Sequence, residues 1–314
     1  MVSVIITTYK RTADTVKRAV RSTCIQTYRD HEIILVDDNP EGEKLSETTV
    51  AGIREMVSVP FSYITYDGNR GACHARNEGV KAASGTYLAF LDDDDEWLED
   101  KLEEEIRVFD DPDCVIATCD SVLVQTGENG DEICENVSYT DKEQITLNDI
   151  FTGGNIIGGA SFPMIRKEAF DRTGGFKEDL KACQDIDLWI RLLQTGKAVR
   201  ISKPLVRYHW NPGSNISFNW DSKSSGTEYL VRTYSNMAPE NGEWSARQYN
   251  SLTDLALTLE RYGDAARYMR RSLAVCKTHR NIKCVFEDFT ELLKRTVWYR
   301  IRYSKRGKET GEMT

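Results

Sequence analysis

Two periods of apolar residues alternate along roughly the first hundred positions. Short β-branched or apolar runs, Val2 to Thr7, Glu32 to Val36, Phe61 to Tyr66 and Thr86 to Leu91, predict strands. Between them Ala13 to Gln26, Glu43 to Met56 and Ala72 to Ala83 read as helices, and Pro40 after Asp37-Asp38-Asn39 forces a loop. The resulting β-α-β-α-β-α-β order predicts a parallel sheet with helices on both faces. From about Cys114 to His209 strand signals (Cys114 to Val124, Ile156 to Ile165, Leu205 to His209) mix with Gly-rich loops and one strong helix, Asp187 to Leu193, after the Gly174-Gly175 turn. Asn211 to Gly226, rich in Ser, Asn and Gly, reads as a mobile loop or linker. Beyond it the chain reads as helical, with turns at Asn241-Gly242 and Tyr262-Gly263-Asp264.

Composition narrows this picture. A chain of 314 residues with 40% hydrophobic positions has room for one large domain or two ordinary ones around a real core. No apolar stretch approaches the roughly 20 residues that span a bilayer. Met1-Val2-Ser3-Val4-Ile5-Ile6 starts a strand at once, with no basic region ahead of a long apolar one, so no signal peptide is expected. The net charge of -9 argues against nucleic acid as a partner. The eight cysteines form no CxxC and no zinc-type spacing, and are expected to be reduced and mostly buried in a cytoplasmic protein. The sequons at Asn136 and Asn215 are then chance matches. The stretch Leu255 to Leu273 resembles one helical hairpin of the tetratricopeptide type, a weak match because such units need neighbours.

The chemistry concentrates where Tyr87-Leu88-Ala89-Phe90-Leu91 runs into Asp92-Asp93-Asp94-Asp95, with a helical stretch expected from Glu96-Trp97-Leu98. Crowded carboxylates at a strand's carboxyl end repel one another unless a cation or a ligand donor compensates, which favours a hard cation such as Mg²⁺ or Mn²⁺. The same four residues also suit an acidic helix start. Thr7-Thr8-Tyr9, Asp37-Asp38 and Arg76-Asn77 fall at the same edge of a parallel sheet, where ligands bind outside the strand ends. Together they offer an aromatic to stack on a base, carboxylates for an imide or ribose, a guanidinium and a metal site. Neither GxGxxG nor GxxxxGK[ST] is present, so this is not a dinucleotide or P-loop site.

These motifs, in order, resemble those of the family 2 glycosyltransferases: Val4 to Tyr9, Ile34 to Asn39, Gly71 to Asn77, Gly85 to Asp95, Gly174-Gly175-Phe176 and Gln184 to Trp189. The resemblance covers about residues 1 to 220. It implies an α/β fold of GT-A type, with a mostly parallel sheet flanked by helices, then a C-terminal helical region. The expected division is 1–222, with a nucleotide-sugar donor half at 1–113 and an acceptor half at 114–222, followed by 223–314. It also implies transfer of a sugar, with inversion, from a nucleotide-diphosphate sugar (a UDP-sugar first) to a hydroxyl of a glycan or lipid-linked acceptor, assisted by Mn²⁺ or Mg²⁺.

Carried over position by position, Thr7 and Tyr9 would line the base, Asp38 would accept from base or ribose, and Arg76 would lie near the donor. Asp92 and Asp94 fit the family's DxD pair, with Asp94 as direct metal ligand, Asp92 nearer the ribose and Asp95 as cap of the next helix. The run of four leaves the register open at Asp93, which joins the donor-binding set. Where the family has Glu-Asp this chain has Gln184-Asp185, which keeps the Asp as general base and removes one neighbouring negative charge. The other reading of Asp185 is a helix N-cap, and Asp187 reads as an N-terminal helix carboxylate or acceptor contact. His209 is expected to approach diphosphate or metal, or else to pack. The loop 212–226 would close over the substrates, with Trp210 and Trp220 as acceptor contacts. Lys294 to Lys308, seven basic residues with no acidic one, would lie on an anionic membrane surface or form the solvated face of a packed helix. Two rival activities remain: a sugar-nucleotide nucleotidyltransferase, and a carbohydrate-binding or scaffold protein without turnover.

Overall fold

The computed structural model describes residues 1–127, 131–210, 219–239 and 242–278. It divides into two compact units, Met1–Gly213 and Ser214–Thr314.

The first unit opens with the alternation expected: β1 (Val2–Thr8), α1 (Ala13–Cys24), β2 (His31–Asp37), α2 (Glu47–Met56), β3 (Phe61–Thr65), α3 (Ala72–Ala82) and β4 (Tyr87–Asp92). It continues with β5 (Glu96–Trp97), α4 (Lys101–Val108), β6 (Cys114–Thr126), β7 (Glu132–Val137), β8 (Gln144–Ile145), α5 (Leu147–Gly153), β9 (Met164–Arg166), α6 (Lys167–Thr173), α7 (Gln184–Leu192) and β10 (Lys197–His209). Among the described residues the strands form one sheet in the order β3-β2-β1-β4-β9-β6-β10-β5, with β7 on β6 and β8 on β10. The pairs β3-β2, β2-β1, β1-β4 and β6-β10 are parallel, while β9 runs antiparallel between β4 and β6.

The central strands are apolar on both faces because helices cover both sides. Val2, Val4 and Ile6 of β1 join Ile33, Leu35, Ala89 and Leu91 in one core with Val16, Ala19 and Val20 of α1. Local signals start the helices: the Thr12 hydroxyl accepts from the Thr15 amide at 3.3 Å, and Ser46 caps α2 in the same way. A Cβ on Gly79 of α3 would lie 2.4 Å from Ile5 Cγ2, so this helix packs against β1 as closely as it does only because that position has no side chain.

Register then places the chemistry. Thr7 lies opposite Asp92 and Thr8 opposite Asp37, which aligns the carboxyl ends of β1, β2 and β4 on one edge.

Several expectations are corrected. The helix expected from Glu96 is strand β5, antiparallel to β10, because the buried Trp97 donates its indole N–H to the Ser161 carbonyl at 2.9 Å and pins that segment to the sheet. The strand expected over Ile156 to Ile165 is confined to Met164–Arg166. In the second unit the polar stretch ends at Asn219, whose side chain accepts from the Ser222 amide at 2.9 Å and caps α8 (Trp220–Tyr234).

The second unit also contains α9 (Glu243–Thr258) and α10 (Tyr262–Thr278), packed as a hairpin. The chain reverses before Tyr262 rather than at Tyr262-Gly263-Asp264: Glu260 adopts φ +58°, and the Arg261 amide donates to the Ala256 carbonyl at 2.7 Å. Trp220 is buried against Leu252, Ala256, Ala265 and Tyr268, with the Arg261 guanidinium 4.8 Å from its ring centroid. It is a packing residue of this unit and not an acceptor contact in a loop. Residues 211–218 and the basic stretch 294–308 lie outside the described residues.

Candidate active site

The strand-end carboxylates divide into those that build the edge and those that face outward. Asp37 is fully buried, and its oxygens accept from the Asn39 amide, the Asn39 side chain, the Leu45 amide and the Tyr63 hydroxyl. Asp38, also buried, accepts from the Tyr66 hydroxyl and from the amides of Arg70 and Gly71 at 2.8 to 2.9 Å. Gly71, at φ +92°, is the N-cap of α3, so Asp38 organises the turn that delivers Arg76. Tyr9 stays exposed beyond β1, with its amide 3.3 Å from Asp93 Oδ2, and Thr7 is half-buried at the strand end.

The four aspartates separate sharply. Asp92 accepts from Arg76 Nη2 at 2.6 Å while its own amide donates to Ser161 Oγ at 3.0 Å. Asp93 is buried and accepts from Arg11 Nε at 3.0 Å; burial pushes its carboxyl up to about 6, against the pull of Arg11. Asp94 pairs with Arg11 Nη2, and its backbone carbonyl accepts from Arg18 Nη2 at 2.8 Å. Burial, and after it the Asp92 charge, holds the Asp94 carboxyl above its ordinary range despite Arg11. Asp95 does not cap a helix: it is 2% exposed and accepts from the His209 amide at 3.1 Å. Burial, then the charges of Asp92 and Asp94, raise its carboxyl well above the ordinary value.

Arg76 connects this turn to the second half of the unit. Its side chain is 5% exposed and lies 5.2 Å from the Phe176 ring centroid, and Nη1 sits 3.9 Å from Asp185 Oδ1. Asp185 belongs to the first turn of α7, whose N-cap is Cys183, so it is not the cap. Asp187, two residues further along, is fully buried and tied to Arg191 at 2.6 and 3.0 Å. That contact makes it a structural anchor of α7. His209 Nε2 lies 2.8 Å from Glu96 Oε1, with Arg18 and Arg207 also beside Glu96. That hydrogen bond, against some burial, holds the Glu96 carboxyl below its ordinary range.

Sequence reasoning missed Arg11, Arg18, Glu96 and Ser161. Arg11 lies two residues beyond Tyr9, in the loop before α1, and Arg18 lies on α1 itself; both meet the acidic turn, a charge complementarity visible in the sequence. Nothing local marks Ser161, which reaches Asp92 through the β4-β9 pairing.

Residues 3–174, more than half of the chain, match the family model described as Glycosyl transferase family 2. The chain belongs to that family. This family 2 glycosyltransferase is 28% identical over 253 residues to a Bacillus subtilis (strain 168) protein, TuaG, provisionally named a teichuronic acid biosynthesis glycosyltransferase; the match covers 79% of this chain and 94% of the relative. Its fold is similar to that of residues 1–349 of Staphylococcus aureus TarS in complex with UDP-GlcNAc, at a TM-score of 0.62 and 14% identity over 98% of this chain and 92% of that one. It spans 43% of a longer TarS structure. A Pyrobaculum calidifontis mannosyltransferase, PcManGT, in complex with GDP-Man and Mn²⁺ matches at a TM-score of 0.58 and 16% identity, over 95% of this chain and 87% of that one. The protein is thus a transferase enzyme on a GT-A type α/β fold with a helical C-terminal region.

Proposed function

We propose that this glycosyltransferase transfers a sugar from a nucleotide-diphosphate sugar to an acceptor hydroxyl with inversion, and that Asp185 is the general base. The observation that carries the reading is the single guanidinium of Arg76, which holds Asp92 on the donor side and faces Asp185 at 3.9 Å on the other. Base and donor carboxylate are thereby held a fixed distance apart across a common centre, as a one-step displacement requires. In that step the acceptor oxygen bonds to the anomeric carbon as the bond to the diphosphate breaks, and Asp185 takes the acceptor's proton. Thr7, Tyr9 and Asp38 form the base and ribose wall, with Asp38 acting through the turn it braces. Asp92, Asp93 and Arg76 complete the donor set. TarS with UDP-GlcNAc and PcManGT with GDP-Man support a nucleotide sugar as donor.

The residues fit a divalent cation by their chemistry. Among the described residues no three His, Cys, Asp or Glu side chains gather as a closed cage. Mg²⁺ or Mn²⁺ typically takes one or two carboxylates and fills the rest of its shell with water and phosphate oxygens. Asp94, 20% exposed and held above its ordinary range partly by Asp92, is a carboxylate that a cation would relieve. Asp94 would hold the cation, and His209, whose Nε2 is engaged by Glu96, would join it through its other ring nitrogen. When bound, Mn²⁺ or Mg²⁺ supplies charge neutralisation of the departing diphosphate.

The acceptor is proposed to be a glycan or a lipid-linked acceptor, in keeping with the biosynthetic name of the Bacillus relative. Among the described residues no helix is long and apolar enough to cross a membrane. Contact of 294–308 with the inner face of the membrane, from the cytoplasm, belongs to the same proposal. Equal binding to anionic liposomes by full-length protein and a version ending near Arg280 would remove that part.

Asp185→Asn tests the central assignment. The variant is expected to bind UDP or the cognate nucleotide as the wild type does while losing transfer by about a hundredfold or more. Transfer at the wild-type rate would overturn Asp185 as base.

A further inference from the structure

Arg11 sits where the cation is proposed to bind. Its Nε donates to Asp93 at 3.0 Å and its Nη2 pairs with Asp94, the carboxylate assigned to the metal. The backbone around it is held from two sides: the Tyr9 amide reaches Asp93, and Lys10, at φ +53°, donates its amide to Asn39 Oδ1 at 2.8 Å. The side chain itself is 30% exposed, so the guanidinium has solvent beside it into which it can swing without unpacking the core.

We propose that Arg11 is an internal counter-ion that competes with the divalent cation for Asp94, so that cation and nucleoside diphosphate bind together rather than cation first. This deepens the functional reading above and rests on Asp94 as the cation's carboxylate. A divalent ion arriving alone meets a positive charge already seated on its ligand, and displacing it strands a guanidinium beside a cation. A diphosphate changes the balance because its oxygens offer Arg11 a planar, bidentate partner in exchange for the carboxylates. The guanidinium then passes from protein anion to donor anion as the cation takes Asp94. The coupling is reciprocal, so nucleotide tightens the cation by the same factor that the cation tightens nucleotide. Arg18 stays behind, bonded to the Asp94 carbonyl at 2.8 Å, and keeps the turn in place when Arg11 leaves.

The experiment measures Mn²⁺ binding to the full chain by paramagnetic resonance of the free ion, with and without UDP and, in parallel, GDP. It compares wild type with Arg11→Gln, Arg11→Lys, Asp94→Asn and the Arg11→Gln/Asp94→Asn double variant, all checked for unchanged thermal unfolding. Arg11→Gln is expected to bind Mn²⁺ alone roughly tenfold more tightly than wild type, to show a smaller enhancement by nucleotide, and to lose the gain when Asp94 is also removed. Arg11→Lys keeps the charge and should behave like wild type toward Mn²⁺ alone. Unchanged or weaker Mn²⁺ binding by Arg11→Gln overturns the inference, as does a gain that survives Asp94→Asn. The two readings separate cleanly: if Asp94→Asn in the wild-type background leaves nucleotide-dependent Mn²⁺ binding intact, the assignment of Asp94 fails. If Asp94→Asn abolishes that binding and Arg11→Gln gains nothing, only the role of Arg11 fails.

Discussion

Arg76 donates to Asp92 at 2.6 Å through one arm of its guanidinium and turns the other toward Asp185, far along the chain in α7. A planar fork can serve two carboxylates at fixed angles, whereas an ammonium is a single point charge. Arg76→Lys is therefore expected to keep the fold and nucleotide binding but lower kcat by about a hundredfold, from lost alignment of donor and base. Steady-state kinetics with a separate nucleotide-binding measurement checks this. A lysine variant with kcat near wild type would show that charge alone is needed.

Chelation should abolish transfer, and Mn²⁺ or Mg²⁺ should restore it in the wild type. In Asp94→Ala the activity is expected to stay low at any cation concentration that saturates the wild type, because the ion loses its protein carboxylate. Activity titrated against Mn²⁺ after EDTA treatment reads this directly. Full rescue of Asp94→Ala at high Mn²⁺ would point to a different ligand in the turn.

Lys101 and Glu105 form an ion pair with both side chains at 0% exposure, one turn apart on α4. Lys101 also donates to the Phe162 carbonyl at 2.8 Å and lies 4.7 Å from the Trp97 ring centroid. Burial pushes the Glu105 carboxyl up to about 7, with Lys101 pulling it back. Glu105→Leu should cost roughly 3–5 kcal/mol by leaving a buried ammonium unpaired, while Lys101→Met combined with Glu105→Leu should recover most of that loss. Urea unfolding of the wild type and the two variants decides it. A double variant as unstable as the single one would mean that the pair is net stabilising.

Glu32 should make the protein acid-sensitive. Its Oε1 accepts from the Ser3 hydroxyl and from the amide and hydroxyl of Ser84, each at 2.7 Å, joining β1, β2 and the turn into β4. Burial works to raise this carboxyl, but the bonds from Ser3 and Ser84 outweigh it and lower it. A carboxylate lowered on folding contributes stability above its unfolded value, near ~4.3, and that contribution is lost as pH falls through the folded value. Glu32→Gln should thus be less stable than wild type at pH 7, with the gap closing below about pH 4. Thermal unfolding from pH 3 to 7 measures the gap, and a difference independent of pH would remove the linkage.

Much of this was legible in the residues. Short continuous apolar runs, with helical spacing between them, located β1 to β4 and α1 to α3, because strands buried on both faces must be apolar throughout. The Ser46 and Thr12 caps and the αL Gly174 that ends α6 are local features that local sequence can specify. The ordered strand-end motifs gave the family, and with it the set of carboxylates. Glu96 and Trp97 failed to read as a strand because two residues carry no period, and their pairing partner lies in β10. Trp220 read as a loop aromatic because its Ser- and Asn-rich neighbours resemble a linker, while its burial depends on α9 and α10.

The sequence by itself determined the sheet's first half, the covering helices and the chemical inventory at the strand ends, since periodicity, caps and charge are properties of neighbouring residues. Only the tertiary structure decided how the four aspartates divide: Asp92 to Arg76, Asp93 and Asp94 to Arg11, Asp95 to the His209 amide. Four identical side chains in a row carry no local difference. What distinguishes them is the partner that each meets across the fold, and those partners come from α3, the β1-α1 loop and β10, brought together by sheet register and helix packing rather than by anything adjacent in the chain.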